Sequence, residues 1–554
     1  MSLKEDMQTW ETSTILMVVG MGAFGAFAVV STLGAHAWAA AAGTEDLSWN
    51  PFDVMIGLAR GTIDTTTGVW RWIGATAALF AGLAIAALVV VRRAKARRKR
   101  GDDSARLAGG GRDIEALTLS EVQAKARRLG LQGKAAGLPI GRAVTSGTEL
   151  ASDVEAMCSL IAGPRTGKTT SWVVPRMYAA PGAVMATSNK RDILDITRAH
   201  RQRAGRVWVF DPQQIAGEPQ AFWWDPLSYI TDSERAQKLA DVFMTAATGK
   251  AEEHKNEWEN WSCNLIAAML LAAAKGRLPL ITLHRWINNQ SEDEPVQILK
   301  RTGEEITAIS LQGIMDLVPE TRSGVYGGAS RIMNFLTSRG IMAWVTPVKG
   351  LPEFSPADFV RTSADTLYCL SQEGSGSASP VVTALTVAVT DAAESYANQS
   401  GGRMPTPMYV PLDEAANVCR WRELPDKYSH FGSKGILMDT VLQSWSQGAT
   451  VWGEAGMKKL WSASNVKVYG GGVSEREFLS TISDLIGVHW VDSTQISSSA
   501  TGRSVSTSRA SQQRPIATVA DLQALPAGRA WVFASQSVGV LAELIPYWTR
   551  DLTA

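Results

Sequence analysis

Cysteine and histidine are scarce in this chain, and the few present are not arranged to bind metal. The 554-residue sequence has four cysteines, which lie far apart with no Cys-x-x-Cys pair, at positions 158, 263, 369 and 419. This argues against a disulfide framework or a zinc site and is typical of a reducing compartment. The six histidines show no metal-ligand spacing such as His-Glu-x-x-His. The net charge of +1 does not by itself indicate a binding partner, so any such indication must come from local patterns of charge and hydropathy.

Charge is also missing from two long apolar runs near the N-terminus. The runs 15–33 and 73–91 each contain 19 residues without a charged side chain, which is long enough to cross the hydrocarbon core as a helix. We therefore predict membrane helices at about 15–41 and 72–91. A cleaved signal peptide is the alternative for the first run, but three acidic residues precede it: Glu5, Asp6 and Glu11.

Charges beside the runs predict the topology. Seven of the nine residues at 92–100 are Arg or Lys, whereas the segment 43–68 has one Arg and four acids. The positive-inside rule then places both termini and the soluble part in the cytoplasm, in a multi-pass protein of the inner (cytoplasmic) membrane. The basic run could also bind nucleic acid, but next to a membrane helix we favour contact with anionic lipid.

Beyond about residue 130, short β-rich runs alternate with helical patterns, which predicts an α/β fold with a parallel sheet flanked by helices. The predicted strands are 157–162, 183–186, 206–210, 366–370, 408–412, 436–442, 466–469 and 530–534. Strand signals vanish between 232 and 340, where the apolar residues follow helical spacing. The predicted parts are a membrane domain at 1–100, a linker at 101–130, a nucleotide-binding domain at 131–245 and 345–554, and an all-α insert at 246–344.

Two smaller patterns complete the outline. Trp258 and Trp261 share one helical face with apolar residues of the insert, and we interpret them as core rather than ligand-stacking residues. The stretch 492–514 is rich in Ser, Thr and Gln, which predicts a mobile loop or ribbon.

Residues 162–170 read Ala-Gly-Pro-Arg-Thr-Gly-Lys-Thr-Thr, after an apolar run and before a predicted helix. This matches the phosphate-binding P-loop pattern Gly-x-x-x-x-Gly-Lys-[Ser/Thr], with Ala162 at the first position. Backbone amides and the helix N-terminus would hold the phosphates of ATP, Lys168 would reach the β- and γ-phosphates, and the Thr169 hydroxyl would bind Mg²⁺. The predicted nucleotide-binding residues are Gly163, Pro164, Arg165, Thr166, Gly167, Lys168, Thr169 and Thr170.

A second motif supplies acids. The apolar run 409–412 ends in Asp413 and Glu414. On a buried strand beside a P-loop, Asp413 would hold the Mg²⁺ shell and Glu414 would activate the attacking water. Gln443 ends the next apolar run, where it is either a sensor of the γ-phosphate or a surface amide.

Further charges are candidates for roles around the nucleotide. A hydrolysing ring needs an arginine supplied by a neighbouring copy, for which Arg331 and Arg476 are candidates. The trio at 190–192 follows a predicted strand at the end where ligands bind, so part of it would face the nucleotide or a DNA channel.

These motifs, in this order, make the chain resemble the coupling proteins of type IV secretion, the conjugative DNA-transfer ATPases. The resemblance rests on the membrane runs, the P-loop, the helical insert, and the local matches 137–142, 188–192, 209–212, 225–227, 412–417, 435–436 and 443–447. The family's RecA-like P-loop domain carries an inserted all-α domain and two N-terminal membrane helices. One departure is Ser188-Asn189-Lys190, where many members have Asp-Pro-Lys, which makes a nucleotide role for Lys190 less certain.

The resemblance implies a membrane-anchored, hexameric ATPase using ATP and Mg²⁺ to move DNA, single-stranded by preference and without sequence specificity. Its expected partners are a relaxase, secretion-channel components and membrane lipid. Its expected catalytic residues are Lys168, Glu414 and Gln443, with Thr169 and Asp413 at the metal. Two alternatives remain open: a double-stranded DNA translocase of the septal type, and a non-hydrolysing substrate receptor.

Overall fold

The computed structural model describes residues 12–43, 47–63, 67–97, 99, 101–131, 137–249, 257–362, 364–374, 376–498, 505–535 and 537–550. Its residues form two compact units, Met1–Lys99 and Arg100–Ala554.

The first unit is helical. Its helices are α1 (Thr12–Ala42), α2 (Pro51–Arg60) and α3 (Thr67–Arg97). Gly34 of α1 permits a close approach to α3, because a Cβ there would lie 2.6 Å from the Cα of Ile73. Among the residues that the structure describes, one helical segment, Gly25–Ala42, is long and apolar enough to cross a membrane. The second predicted run, 73–91, lies within α3.

A mixed sheet forms the centre of the second unit. Its strands are β1 (Leu138–Ala143), β2 (Glu149–Ser152), β3 (Cys158–Ile161), β4 (Val184–Ser188), β5 (Val207–Phe210), β6 (Thr366–Leu370), β7 (Met408–Leu412), β8 (Ile436–Leu442), β9 (Val466–Tyr469), β12 (Arg529–Ala534) and β13 (Val540–Glu543). The spatial order is β2-β1-β13-β12-β9-β3-β8-β7-β4-β6-β5. From β9 to β5 the pairing is parallel, and from β12 to β2 it is antiparallel.

The parallel strands follow the predicted apolar runs closely. Four of them, β6, β7, β8 and β9, have the predicted bounds, and the first three are buried along their whole length. Such strands are covered on both faces, which is why they read as mostly apolar runs. Strands β1, β2 and β13 lie at the antiparallel side of the sheet and have no counterpart among the predicted strands.

Helices cover both faces of the sheet. They are α4 (Leu119–Arg128), α5 (Val174–Ala179), α6 (Asp192–Ala204), α7 (Ser233–Thr248), α8 (Glu257–Gly276), α9 (Thr282–Asn288), α10 (Glu294–Arg301), α11 (Glu305–Met315), α12 (Pro319–Ile332), α13 (Arg339–Trp344), α14 (Pro356–Phe359), α15 (Ser379–Gln399), α16 (Ala415–Val418), α17 (Leu424–Lys427), α18 (Trp445–Ala463), α19 (Arg476–Ile486) and α20 (Val519–Gln523). Neighbouring residues of β3 point into two separate apolar cores, Ile161 into one and Leu160 into the other.

Between β5 and β6 the described residues form helices and loops, with an isolated bridge between Trp223 and Glu353. Helices α7 to α14 lie in this stretch, which includes the predicted insert 246–344. Here the interpretation of the two tryptophans is wrong: Trp258 and Trp261 are 48% and 40% exposed. They lie near the start of α8, where the side chains stay partly exposed although the apolar spacing of the helix continues.

The Ser/Thr/Gln-rich stretch predicted as a loop or ribbon lies in a two-stranded antiparallel ribbon. Its strands are β10 (Val488–Ser498) and β11 (Val505–Pro515), which pair without a register shift. The ribbon does not join the large sheet.

The stretch 101–130, for which the sequence predicts a linker, contains short 3-10 turns and helix α4. Ile114 and Leu117 are buried in a core of the sheet. At its start, the Asp102 carboxylate accepts hydrogen bonds from Arg529 of β12, with Nε at 2.7 Å and Nη2 at 3.0 Å. Both side chains are under 10% exposed, so this ion pair fixes the start of the unit to the sheet.

Replacing Arg529 by Met should destabilise the second unit by about 3 kcal/mol, because the buried Asp102 carboxylate would lose its ion pair with Arg529. The measurement is the Tm by thermal unfolding. The control is Arg142→Met, which breaks an ion pair to Glu149 in which both side chains are about half exposed. That change should cost less than about 1 kcal/mol, and an equal loss in both variants would contradict the assignment.

Candidate nucleotide-binding site

The predicted motifs meet at one edge of the sheet. Strand β8 lies between β3 and β7 and pairs with both in parallel, with Ile161 opposite Leu442 and Leu412 opposite Thr440. Parallel strands end at the same edge, where ligands bind in open α/β sheets. The segments that follow β3, β7 and β8 therefore converge, and they carry the phosphate loop, the two acids and Gln443.

The phosphate loop runs from Ala162 to Lys168, with two residues in left-handed backbone conformation. Gly167 has φ +90° and Arg165 has φ +59°. Side chains close the loop on itself, since Thr166 Oγ1 donates to the Gly163 carbonyl at 2.8 Å. The helix that follows opens with a π-helical turn over Thr169–Val173 before continuing as α5. Such turns are rare and are frequent at functional sites.

Three consecutive glycines after β9 support this loop from behind. Gly163 N–H donates to the Gly471 carbonyl at 2.8 Å, and a Cβ on Gly163 would lie 2.0 Å from the Gly472 carbonyl oxygen. A Cβ on Gly470 would lie 2.8 Å from the Cβ of Ala162. Gly470 thus leaves the room that Ala162 occupies, which explains how the loop accommodates alanine at its first position.

Lys168 rests on its own loop. Its Nζ donates to the carbonyls of Ala162 at 2.8 Å and Gly163 at 3.0 Å, and the side chain is buried. Burial lowers the pKa of the ammonium, while the charges of Glu414 and Asp413 act in the opposite direction. The amine is therefore within electrostatic reach of both predicted acids.

Thr169 and Asp413 form a pair of oxygen donors. Thr169 Oγ1 donates to Asp413 Oδ2 at 3.2 Å, and Asp413 Oδ1 is buried with no hydrogen-bond partner among the residues that the structure describes. Burial, together with the Glu414 charge, raises the pKa of Asp413 to about 7. A hydroxyl and a carboxylate with a free oxygen are hard ligands that suit Mg²⁺ bound near phosphate. These residues fit the predicted metal site.

Glu414 has an unusual backbone and a defined partner. Its φ of +54° places it in the left-handed region, a strained conformation for a residue with a Cβ that is found mostly at functional sites. Gln443 Nε2 donates to both carboxylate oxygens, at 2.8 and 2.7 Å. The Gln443 amide is thus bound to the Glu414 carboxylate, and its role as a sensor of the γ-phosphate stays a prediction.

A second layer of amides holds this pair. Gln447 Oε1 accepts from the backbone N–H of Gln443 at 3.0 Å, and Gln447 Nε2 donates to Asn417 Oδ1 at 2.8 Å. Both residues belong to the segments 412–417 and 443–447 that carry the family resemblance. The sequence places them in the motifs but gives no sign of their mutual contact.

The remaining candidates differ in their surroundings. In the trio at 190–192, the charges of Lys190 and Asp192 act on Lys168 and Asp413 respectively, whereas Arg191 pairs with Asp195 at 2.7 Å. Arg331 and Arg476 are exposed. Their predicted role requires a neighbouring copy of the chain.

Known proteins are similar to this chain over the segments that carry these motifs. The family model described as the TraM recognition site of TraD and TraG matches residues 407–527. This segment includes strand β7 with the two acids that follow it, strand β8 with Gln443 after it, and the glycines at 470–472. No curated protein matches the chain in sequence.

Solved structures extend the likeness to most of the chain. The bacterial conjugative coupling protein TrwBdeltaN70, in its unbound monoclinic form, has a TM-score of 0.54 and 17% identity, with 76% of this chain and 91% of that chain covered. TrwB with the non-hydrolysable ATP analogue ADPNP has a TM-score of 0.54, and TrwB with ADP and Mg²⁺ one of 0.52. Both are 15% identical and cover 76% of this chain and 92% of the other.

At these identities the likeness is one of fold, a mixed α/β P-loop fold with a large, mostly parallel sheet. The resemblance to type IV coupling proteins is thereby confirmed, by the family model over 407–527 and by the fold over about three quarters of the chain.

Replacing Gly163 by Ala should weaken binding of a non-hydrolysable ATP analogue by about tenfold or more, equivalent to about 1.4 kcal/mol. The reason is that the new Cβ would overlap the Gly472 carbonyl and push the loop away from its support. Calorimetry measures the Kd. The control Gly313→Ala lies on α11 with no atom within 4 Å of the added Cβ, and its affinity should stay unchanged. Equal affinities in both variants would contradict this role of the glycines.

Replacing Asp413 by Asn should stabilise the metal-free protein at pH 8 and do so less at pH 5. The folded protein raises this pKa to about 7, so it binds the proton more tightly than the unfolded chain does. The stability of the protein with Asp413 therefore falls as the pH rises from about 4 to about 7, and it stays reduced at higher pH. The measurement is Tm in EDTA at both pH values. The exposed Asp484→Asn is the control, and a pH-independent gain from Asp413→Asn would refute the expectation.

Proposed function

We propose that this chain is a membrane-anchored ATPase that couples ATP hydrolysis to the transfer of single-stranded DNA, or of a relaxase–DNA complex, into a type IV secretion channel. The observation that carries this proposal is the site itself: the Thr169–Asp413 pair and the Glu414–Gln443 pair meet the phosphate loop at one edge of the sheet. The fold likeness to a conjugative coupling protein supports the transport role.

The residues divide the chemistry among them. Loop amides and Lys168 hold the phosphates, with the lysine exchanging its two carbonyl partners for β- and γ-oxygens. Thr169 and Asp413 would hold Mg²⁺, which when bound neutralises charge on the phosphates. Glu414 accepts a proton from the attacking water, and Gln443 orients the Glu414 carboxylate and senses the γ-phosphate. Catalysis then depends on positioning and charge stabilisation.

The finer assignments extend this proposal to the whole assembly. The segment Gly25–Ala42 anchors the protein in the inner membrane, and the run within α3 forms a second span, with the motor on the cytoplasmic side. A homo-hexameric ring would supply Arg331 or Arg476 in trans. Residues of its central channel would contact the sugar–phosphate backbone of the DNA, without sequence preference.

Replacing Glu414 by Gln should lower kcat by about 10²-fold or more while ATP still binds, because the proton acceptor is lost and the phosphate loop is intact. Lys168→Ala should abolish binding and turnover together. The assay is ATP hydrolysis by full-length protein in lipid, with and without single-stranded DNA. The control is Glu477→Gln, an exposed acid on α19, which should leave turnover unchanged.

The same assay distinguishes the alternatives. Stimulation by single-stranded DNA supports the coupling-protein function, whereas stronger stimulation by duplex DNA would favour the septal translocase. Tight ATP binding with no turnover in the assembled ring would favour the receptor, and turnover that survives in Lys168→Ala would refute the ATPase site.

A further inference from the structure

A buried carboxylate beneath the site links the elements that carry the catalytic side chains. Asp439 lies on β8 and is 1% exposed. Its Oδ2 accepts hydrogen bonds from Trp172 Nε1 at 2.8 Å, Arg176 Nε at 2.7 Å and Tyr409 Oη at 2.7 Å, and its Oδ1 accepts from Arg176 Nη2 at 3.0 Å. One side chain thus receives four hydrogen bonds from three residues on two other elements.

Three of these four residues lie three or four positions from a predicted site residue in the sequence. Tyr409 on β7 precedes Asp413 by four positions, and Asp439 on β8 precedes Gln443 by four positions. At the rise of a strand, four residues span about 13 Å. Trp172 lies one helical turn after Thr169, in the π-helical turn that follows the phosphate loop.

Arg176 extends the link to two further strands. Its Nη1 donates to the carbonyls of Leu138 and Pro139 on β1, both at 3.3 Å, and its Nη2 lies 3.3 Å from Cys158 Sγ on β3. The guanidinium also lies over the rings of Trp172 and Tyr409, at 4.5 and 5.8 Å from their centroids. Burial raises the pKa of Tyr409 well above its usual value, so the phenol remains a hydrogen-bond donor.

Such a cluster is a costly way to fill a core. Taking both charges of Arg176 and Asp439 out of water carries a desolvation penalty, and apolar residues of similar volume often give equal or greater stability. What the ion pair provides, and apolar packing does not, is directional hydrogen bonding that fixes β7, β8 and the phosphate-loop helix at set distances from one another.

We propose that Asp439 is a positioning residue: through Tyr409, Trp172 and Arg176 it sets the spacing of the phosphate-loop helix, β7 and β8, and thereby the alignment of Thr169, Glu414 and Gln443. This inference rests on the proposed ATPase function and adds to it a group that never touches the nucleotide. A loss of alignment of about 1 Å is enough to cost about 10²-fold in rate.

The test compares full-length variants in lipid by their kcat, KM for ATP and Tm. Tyr409→Phe removes one hydrogen bond to Asp439 and no carbon atom. Its matched control is Tyr368→Phe on β6, a buried tyrosine whose hydroxyl bonds Thr197 at 2.6 Å. We expect Tyr409→Phe to lower kcat by about tenfold with KM little changed, and Tyr368→Phe to leave kcat unchanged, while the loss of a buried hydrogen bond lowers Tm in both variants. Equal effects of the two changes on kcat would overturn the proposal.

A second variant separates positioning from stability. Asp439→Leu alone should lower Tm because Arg176 loses its counter-charge, and the double variant Arg176→Met/Asp439→Leu should recover Tm. In the double variant we expect kcat to stay reduced by about 10²-fold at near-normal KM. A double variant with normal Tm and normal kcat would show that the cluster only stabilises the fold. If it does not fold, the comparison of Tyr409→Phe with Tyr368→Phe decides.

Failure of this inference can be told from failure of the proposed function. Lys168→Ala is assayed in the same series. Turnover that is lost in Lys168→Ala but normal in Tyr409→Phe refutes the positioning role alone. Turnover that persists in Lys168→Ala refutes the ATPase site.

Discussion

The parallel pairing of β8 between β3 and β7 is the constraint on which the rest of the site depends. Ala162 N–H, the first donor of the phosphate loop, bonds the carbonyl of Leu442 at 3.1 Å, immediately before Gln443. This hydrogen bond holds the start of the phosphate loop against the end of β8, directly before Gln443, the hydrogen-bond partner of Glu414. A slip of one residue in the pairing of β8 with β3 or with β7 would turn the side chains at the strand ends toward the opposite face of the sheet. The site therefore requires a defined register along the whole length of these strands.

The sequence predicts the centre of this fold better than its margins. Strands β6, β7 and β8 could be predicted to the residue because burial on both faces favours mostly apolar runs, with Asp439 and Thr440 as the polar residues inside β8. Strand β1 could not, since its residues Leu-Pro-Ile-Gly-Arg-Ala mix a proline, a glycine and a charge, and its partner β13 follows about 400 positions later. The exposure of Trp258 was missed for a related reason: periodicity defines a helical face but does not reveal where its cover ends.

The candidate site shows the same difference between residues that the sequence predicts and contacts that it does not. Lys168 and Asp413 could be predicted to share one site from their motifs, a phosphate loop and an acid that follows a buried strand. The residues that support them could not, because their contacts join distant segments of the chain: Gly471 accepts a hydrogen bond from Gly163, and Asp439 accepts one from Trp172. Glycine and buried aspartate each have many uses, and only the folded arrangement shows which one applies. The glycines at 470–472 remove side chains where the loop must pass, whereas Asp439 supplies bonds where strands must be held.

The resting position of Lys168 has a consequence for nucleotide exchange. Its ammonium is already satisfied by two carbonyls of the loop, so an arriving phosphate substitutes for existing partners instead of filling an unmet need. The same carbonyls receive the amine again when the nucleotide leaves, which spares the empty site the penalty of an isolated buried charge. The loss of these carbonyl contacts offsets part of the attraction between the Lys168 amine and the phosphate. Under the proposed ATPase function, a loop of this kind lowers the affinity for phosphate and favours release of the nucleotide after each turnover.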